Sequence, residues 1–473
     1  MDNKFLDKPS AEQYEVMGTE PLESPKTRDE FIESYVIDTE EERKLVRKID
    51  LYILPTMWIM YLLSYMDRTN IGNAKIAGMA EDLGLDSNRY SISLIVFFVG
   101  YVIWEVPSNM ILAQTKPSIF LPTIMFLWGC ATIGMAFIDT YKALVGLRVL
   151  IGLLESGFAP GVLLLLSSWY KPDEQARRFG VYISAAILSG AFGGLIAGSI
   201  TGGLDGVNGM AGWRWLFITE GAATAVWSIV ASFLLMDFPA NTKRLTEPER
   251  ELALKRLMAS DGLIETEDSP KLSHWQALKE ALINWRVWGF VVGYMAVVGS
   301  STLSYFYPTL VTGLGYSTTM AQYMTIPIYA ASFVITIIVV VFMDKYPEWR
   351  GLVLACAMGV SMLMAIIICV VYDFKVRYAL LVIMACGLWA SNGLSLAYAS
   401  STFSSKSAEV RGISLAFINA MGNLAQIYGS YLFPSKDSPQ YLVGFGVIAG
   451  LCFTGVTSYL ALFVLLNRYP QRR

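Results

Sequence analysis

The sequence predicts an all-α membrane protein with twelve transmembrane helices in two six-helix halves. Apolar residues make up 54% of the 473 residues and charged residues only 16%, whereas soluble domains average about 25% charged residues. The mean hydropathy is +0.47, and the apolar residues are concentrated in twelve runs. Each run has the length that a bilayer requires, about 20 residues. A weak internal repeat divides the runs into two sets of six.

The predicted spans are separated by short polar loops, except in the middle of the chain. They cover residues 51–71, 90–113, 118–138, 142–166, 179–202, 214–236, 286–311, 319–343, 350–372, 377–401, 412–433 and 440–466. The segment that follows the sixth span contains Thr246 and Glu247, a pattern typical of a helix start. The predicted domains are a disordered cytoplasmic tail (1–46), an N-terminal six-helix bundle (47–236), a cytoplasmic amphipathic linker (237–284), a C-terminal six-helix bundle (285–467) and a short cytoplasmic tail (468–473).

The repeat and the loop charges agree on the arrangement. Arg177 precedes the fifth span and Arg411 the eleventh, in similar local sequences 234 residues apart. With the N-terminus in the cytoplasm, and counting from Arg43 onwards, 23 lysines and arginines lie in or next to cytoplasmic segments and seven in or next to exterior ones. Because cytoplasmic loops carry the excess of positive residues, both termini are predicted to be cytoplasmic. We predict a multi-pass monomer in the bilayer of the plasma membrane.

Several classes of protein do not fit the composition. His274 is the only histidine, and it lies in the linker, so a multi-histidine metal site is not expected. A membrane-embedded enzyme is disfavoured for the same reason, because it would need a nucleophile or base inside the membrane. The five cysteines lie within apolar runs, where they act as small apolar fillers. We expect no cofactor, no metal and no nucleic-acid partner.

Ionisable residues in the cores of the predicted spans, away from their ends, are confined to the first half. A charge in the membrane is costly, so each is a functional candidate. Arg148 and Glu155 lie on one face of the fourth span with Gly152 between them, which places an anion-binding arginine beside a titratable carboxylate. A static buried ion pair is the alternative. Asp67 and Arg68 in the first span are further candidates, although their place near its end also fits an interfacial location.

The second half offers uncharged polar groups instead. Asn419 and Asn423 share one face of the eleventh span with Gln426, Asn392 lies in a polar cluster of the tenth, and Tyr305 lies near the end of the seventh. These groups fit either the wall of a substrate pocket or hydrogen bonding between helices.

Other motifs have two interpretations. Glu105 near Pro107 fits a gating residue, and it equally fits a group that satisfies backbone freed by the proline. Glu220 follows Arg214 in an aromatic-rich stretch and is interpreted as its local charge partner at the membrane interface. The glycine-rich stretch 189–198 indicates close helix packing rather than a phosphate-binding loop.

Glu174, Arg177 and Arg178 before the fifth span correspond to Glu409 and Arg411 before the eleventh. We hypothesise that these groups bridge the halves on the cytoplasmic side in an outward-open state and separate when the inner gate opens.

Several strings together resemble the anion:cation symporter family of the major facilitator superfamily, in particular its fungal allantoate permease-like branch. They are Tyr65-Met-Asp67-Arg68-Thr-Asn70-Ile-Gly72-Asn73, Glu105-Val-Pro107-Ser-Asn109, Arg148-x₃-Gly152-x₂-Glu155-Ser-Gly157-Phe-Ala-Pro160-Gly161 and Trp213-Arg-Trp-Leu-Phe-Ile-Thr-Glu220-Gly221. The similarity runs from about residue 47 to 468. It implies the major facilitator fold, whose binding site lies between the halves near the midplane.

The resemblance also implies transport of a small organic anion, usually a carboxylate, together with protons. It places Arg68 and Arg148 at substrate-binding positions and Asp67 and Glu155 at proton-coupling positions. We expect Tyr305, Asn392, Asn419 and Asn423 to complete the substrate site from the second half. Vesicular relatives also use an arginine in the seventh span, and this chain has no arginine between Arg286 and Arg350.

Two other functions remain open. One is an efflux transporter that exports a drug or secondary metabolite by proton antiport, although the Gly-Pro dipeptide usual in the fifth span of such proteins is absent. The other is a non-transporting nutrient sensor, which would normally carry a longer cytoplasmic extension.

Overall fold

The helices begin and end close to the predicted spans. The computed structural model describes residues 35–36, 39–113, 115–262, 274–403, 406 and 408–469, which contain helices and no strand. The first half consists of α1 (Glu40–Ala74), α2 (Ser87–Ala113), α3 (Pro117–Met135), α4 (Tyr141–Glu155), α5 (Phe158–Trp169), α6 (Pro172–Gly203) and α7 (Gly212–Leu234). The linker contains α8 (Glu247–Gly262) and α9 (His274–Ile283). The second half consists of α10 (Trp285–Ser301), α11 (Tyr307–Gly313), α12 (Thr318–Tyr323), α13 (Thr325–Lys345), α14 (Arg350–Val370), α15 (Phe374–Thr402), α16 (Ala408–Gly429) and α17 (Leu442–Arg468).

Ten helical segments of this described part are long and apolar enough to cross a membrane. Four of them are broken. Three join two of these helices, α4 with α5, α10 with α11, and α12 with α13, and the fourth continues α1 to Asp82 across the non-helical residues Ala77 and Gly78. Two further helices, α2 with 27 residues and α16 with 22, occupy the second and eleventh predicted spans and are also long enough to cross a bilayer. Both carry polar residues and contact each other between the halves. Counting them gives the twelve helices that the sequence predicts.

The first helix begins before the predicted boundary of the N-terminal tail. The hydroxyl of Thr39 accepts a hydrogen bond from the backbone N–H of Glu42 at 3.2 Å, which caps the helix that starts at Glu40. Residues 40–46, assigned to the tail from sequence, therefore belong to α1. The rest of the predicted tail lies outside the described residues, apart from 35–36 and 39.

The two halves contact each other at the end of the bundle away from the linker, here called the far end. Gly72 of α1 lies against the backbone oxygen of Tyr305, and a Cβ at Gly72 would approach that oxygen to 2.6 Å. The Tyr90 hydroxyl donates to the same oxygen at 3.3 Å, and the Ser91 hydroxyl donates to the backbone oxygen of Ser430 at 2.7 Å. Gly72 therefore permits the close approach that joins the halves.

Glycines of α6 extend this contact along the bundle. A Cβ at Gly190 or Gly198 would overlap the rings of Tyr329 and Tyr323, and one at Gly194 would overlap Thr325. The packing interpretation of the glycine-rich stretch is therefore confirmed, and the elements that it packs against belong to the second half.

The linker is bound to the first half by buried charges. Arg256 of α8 is 0% exposed. Its guanidinium donates to Glu174 at 2.6 Å, to Glu42 at 3.2 Å and to the backbone oxygen of Trp169 at 3.3 Å. The sequence interpretation of the linker as a surface segment is therefore incomplete, because this side chain holds α8 against α1, α5 and α6.

A second, more exposed contact joins the linker to α1. Burial opposes ionisation of Glu249, but hydrogen bonds from Lys48 and from the backbone of Thr246 outweigh this effect and lower the pKa of Glu249. The contact therefore stabilises the fold at neutral pH and is lost as the pH falls through this lowered pKa.

Arg256→Ala is expected to lower the free energy of unfolding by about 3–5 kcal/mol, because it removes the buried guanidinium that Glu42 and Glu174 share. Lys44→Ala, which removes an exposed pair with Glu40, is the control and should cost about 0.5 kcal/mol or less. Thermal unfolding of the purified full chain in detergent measures both. Equal midpoints for the two variants would contradict the docking role of Arg256.

Candidate functional site

The central ion pair of the first half joins α1 to α4. Arg68 Nε donates to Glu155 Oε1 at 2.7 Å, and the Ser64 hydroxyl donates to the same oxygen. Glu155 is 0% exposed, and its Oε2 has no hydrogen-bond partner. The sequence had placed Glu155 beside Arg148 on its own helix, but the partner in the structure is Arg68 of another helix.

Glu155 lies where the fourth span breaks. Helix α4 ends at Glu155, and α5 begins at Phe158. Pro160 has no backbone N–H to donate to the carbonyl of Ser156 and crowds that turn, which explains the break. Non-helical backbone at this depth is tolerated where it is buried in protein or lines a cavity. The predicted continuous helix over 142–166 is therefore two helices, with the carboxylate at the junction.

The two arginines share an aromatic surface on α2. The guanidinium carbons of Arg68 and Arg148 lie 5.5 Å and 4.7 Å from the centre of the Phe97 ring, and that of Arg68 lies 5.0 Å from the Tyr101 ring. These aromatic faces stabilise the cations. Gly152 permits the arrangement, since a Cβ there would overlap the backbone of Phe97. The prediction that this glycine allows close approach is confirmed.

Arg148 is buried without an acidic partner. It is 2% exposed, and Nε donates to the backbone oxygen of Ser93 at 3.1 Å. No carboxylate of the described residues forms an ion pair with it. The site therefore holds two buried guanidinium groups and one carboxylate that pairs with Arg68, which leaves an unbalanced positive charge.

Asp67 faces away from this site. Its Oδ2 accepts from Trp128 Nε1 at 3.1 Å and from the Thr224 hydroxyl at 3.3 Å. Adjacent residues of a helix point about 100° apart, so Asp67 meets α3 and α7 while Arg68 meets α2 and α4. Asp67 is buried among these helices.

The second half contributes a short polar chain. The Tyr305 hydroxyl donates to Gln426 Oε1 at 3.1 Å, and Gln426 Nε2 lies 3.5 Å from Asn423 Oδ1. Tyr305 lies in the 3₁₀ segment between α10 and α11, beside Phe98 with ring centres 6.2 Å apart. Asn392 and Asn419 are half-buried and have no hydrogen-bond partner among the described residues. The structure thus connects Tyr305 and Asn423 and leaves the two other asparagines free.

The predicted gating residues have other partners in this conformation. Arg178 pairs with Asp50 of α1 at 2.7 Å, and Glu174 accepts from Arg256. Arg411 is exposed and lies 3.4 Å from the Ser400 hydroxyl. The side chains of Arg177 and Glu409 lie outside the described residues.

Glu105 of α2 is half-buried, one turn beyond Tyr101 on the same helix. The ring of Tyr101 covers the guanidinium of Arg68. Glu105 therefore lies on α2 about one helical turn from the residue that contacts the arginine site.

Sequence reasoning missed the residues that surround the charges. Ser64, Phe97 and Tyr101 resemble ordinary membrane residues, and only the fold brings them to the arginines. Glu220 was misassigned as a partner of Arg214, which instead pairs with Asp139 at 2.8 Å. The His274 side chain and residues 263–273 lie outside the described residues. The described part contains no cluster of three or more potential metal ligands.

Residues 57–430 match the family described as Major Facilitator Superfamily. Because this match covers most of the chain, the protein belongs to that superfamily and is a multi-pass membrane transporter rather than an enzyme.

Curated relatives are named as transporters. MFS transporter prlL of a fungal species (strain NRRL 50135) is 34% identical over 96% of this chain and 92% of its own length. MFS-type transporter cnsO of Penicillium expansum is 31% identical over 91% of this chain and 84% of its own length.

Solved structures agree on the fold. The D-xylose–proton symporter superposes with a TM-score of 0.66 at 16% identity, covering 87% of this chain and 97% of that one. A bacterial homologue of the human lysosomal transporter Spinster gives a TM-score of 0.64 at 16% identity, over 88% of this chain and 94% of that one. The predicted major facilitator fold is confirmed.

Proposed function

We propose that this transporter moves a small organic anion that carries a carboxylate, together with protons, as a member of the allantoate permease-like branch. The observation that supports this proposal most strongly is Arg148, a buried guanidinium with no acidic partner. An uncompensated charge in the membrane interior is costly, so an anionic substrate is the natural group to balance it.

Arginine suits this task. Its planar fork matches a carboxylate with two parallel hydrogen bonds, and it remains charged in proteins. Arg68 also has a free donor, because its Nη2 has no partner. We assign the substrate carboxylate to Arg148 and Arg68, with Tyr305, Asn392, Asn419 and Asn423 selecting the rest of the molecule. Tyr305 lies beside Phe98, which is next in sequence to the Phe97 ring that both arginines contact.

Proton coupling follows from the Arg68–Glu155 pair. A substrate carboxylate that binds Arg68 competes with Glu155 for the same guanidinium. Glu155 has no solvent contact, so a weakened ion pair favours its neutral form and it binds a proton. Anion binding and proton binding thus promote each other, which is the direction that symport requires. We propose Asp67 as an additional proton-coupling residue.

We retain the gating proposal for Glu174, Arg177, Arg178, Glu409 and Arg411, with Glu105 as a gate next to the arginine site. The halves are in contact at the far end. With the linker on the cytoplasmic side, this conformation has its exterior side closed, and we propose that the inner bridges form only after the halves rock to the opposite state.

We expect both termini in the cytoplasm of a plasma-membrane protein. A reporter that is active only in the cytoplasm, fused after Arg473, should be active, and one fused into the Gly206 turn should be inactive. The loop-charge asymmetry gives this orientation. An active reporter at Gly206 together with an inactive one after Arg473 would show that the orientation is the reverse of the one predicted.

The carboxylate requirement can be tested before the substrate is known. Purified protein is heated with a panel of small carboxylic acids and with the matching amides, which lack the negative charge. A ligand at about 100 times its dissociation constant stabilises the folded state by about 2.7 kcal/mol, so a recognised carboxylate should raise the unfolding midpoint while its amide does not. Stabilisation by amides or by organic cations instead would refute the anion proposal.

A further inference from the structure

Glu220 of α7 is a buried acid that the arginine site does not use. It is 2% exposed, and neither carboxyl oxygen has a hydrogen-bond partner. An ionised carboxylate without donors in such surroundings is strongly disfavoured, whereas a neutral carboxyl is tolerated. A proton on Glu220 would remove this cost.

Asp67 of α1 is the acid next to it. Thr224, one turn beyond Glu220 on α7, donates to Asp67 Oδ2 at 3.3 Å. The face of α7 that carries Glu220 and Thr224 therefore packs against Asp67. Asp67 Oδ1 has no partner, and the two carboxyl groups are not hydrogen-bonded to each other. Two carboxylates that interact in a low dielectric cannot both ionise readily, so they titrate as a pair.

No cation of the described residues forms an ion pair with either acid, although the charge of Arg148 reaches Asp67. Asp67 is the charged group whose field acts on Glu220. Helix α3 brings Trp128 to Asp67 and packs Gly129 against Gly221. Arg148 and Glu155 act on Asp67 from the arginine site.

Glu220 also borders a cavity of about 270 Å³ between α1, α6 and α7. The walls are apolar, with Trp58, Leu62 and Met66 from α1 and Phe192 and Ile196 from α6. Helix α6 is also the helix whose glycines contact the second half. A change in that contact would therefore move one wall of the cavity beside Glu220.

We propose that Glu220 and Asp67 form a second proton-binding site between α1 and α7, which holds one proton while the second half packs on α6. Only a proton is exchanged, and Glu220 is its carrier in this conformation. The proposal deepens the symport proposal, because it adds a proton site apart from the Arg68–Glu155 pair.

Infrared difference spectra of the purified full chain, recorded over a pH series without substrate, test the site. A protonated buried carboxyl gives its own carbonyl band, and ¹³C labelling of glutamate separates Glu220 from aspartate. We expect a glutamate band at neutral pH that is lost in Glu220→Gln and replaced by an aspartate band in Glu220→Asp. In Asp67→Asn, removal of the neighbouring negative charge should move the loss of this band to lower pH, by about tenfold in proton concentration. Thr219→Val, at the exposed edge of the same cavity, should leave the band unchanged.

Three results would overturn the site. A glutamate band unchanged in Glu220→Gln would show that Glu220 is ionised. A band whose pH dependence is the same in Asp67→Asn would show two independent acids. Loss of the band in sodium chloride but not in choline chloride would indicate a sodium site. None of these measurements uses substrate, so the symport proposal stands or fails separately.

Discussion

Glu155→Gln is expected to abolish proton-driven accumulation of substrate while counterflow exchange of labelled substrate continues. The amide keeps the size of the side chain and an oxygen that accepts from Arg68 and Ser64, but it cannot bind or release a proton. With one proton per monovalent anion, a gradient of one pH unit supports about tenfold accumulation, and the variant should reach only equal concentrations on both sides. Both accumulation and counterflow are measured in proteoliposomes, with the carboxylate that raises the unfolding midpoint as the labelled substrate.

The control is Glu81→Gln, the same change at an exposed acid outside the site. It should accumulate substrate as the unmodified protein does. A Glu155→Gln protein that still concentrates substrate along the pH gradient would show that coupling lies elsewhere, with Asp67 as the next candidate.

Arg148→Lys should weaken substrate binding by about 10- to 100-fold although the charge is kept. Lysine lacks the planar fork, so it forfeits a charged hydrogen bond to the carboxylate, worth about 1.5–3 kcal/mol. It also loses the flat face that lies 4.7 Å from the centre of the Phe97 ring. The concentration of carboxylate that half-saturates counterflow measures the change.

Arg214→Lys provides a matched control, because Arg214 pairs with an exposed aspartate away from the site. It should leave half-saturation unchanged. Normal binding by Arg148→Lys would assign Arg148 a structural role, as the donor to the Ser93 backbone.

Much of the fold could be predicted from the sequence, because each membrane span is a run of mostly apolar residues. The breaks were harder to predict. Pro160 and Pro308 lie within apolar runs, and a proline in a membrane helix is compatible with a kink, a break or a continuous helix. In the structure both fall where a helix restarts, α5 and α11, and these junctions place Glu155 and Tyr305.

Pairing between helices was predicted less well. Spacing along one helix identified Arg148 and Glu155 as neighbours, but the ion pair of Glu155 is with Arg68, 87 residues away in sequence. Such contacts depend on helix rotation, which periodicity leaves open. Glu220 and Arg256 were misjudged for the same reason, since neither burial nor partner can be inferred from adjacent residues.

The central claim is that an organic carboxylate and a proton move together. Proteoliposomes containing the purified protein, with an acidic exterior and the selected labelled carboxylate outside, test it most directly. The account predicts accumulation above the external concentration, which collapses when a protonophore dissipates the gradient and which disappears in Glu155→Gln. Uptake that stops at equal concentrations in the unmodified protein, or accumulation only when the gradient is reversed, would contradict it.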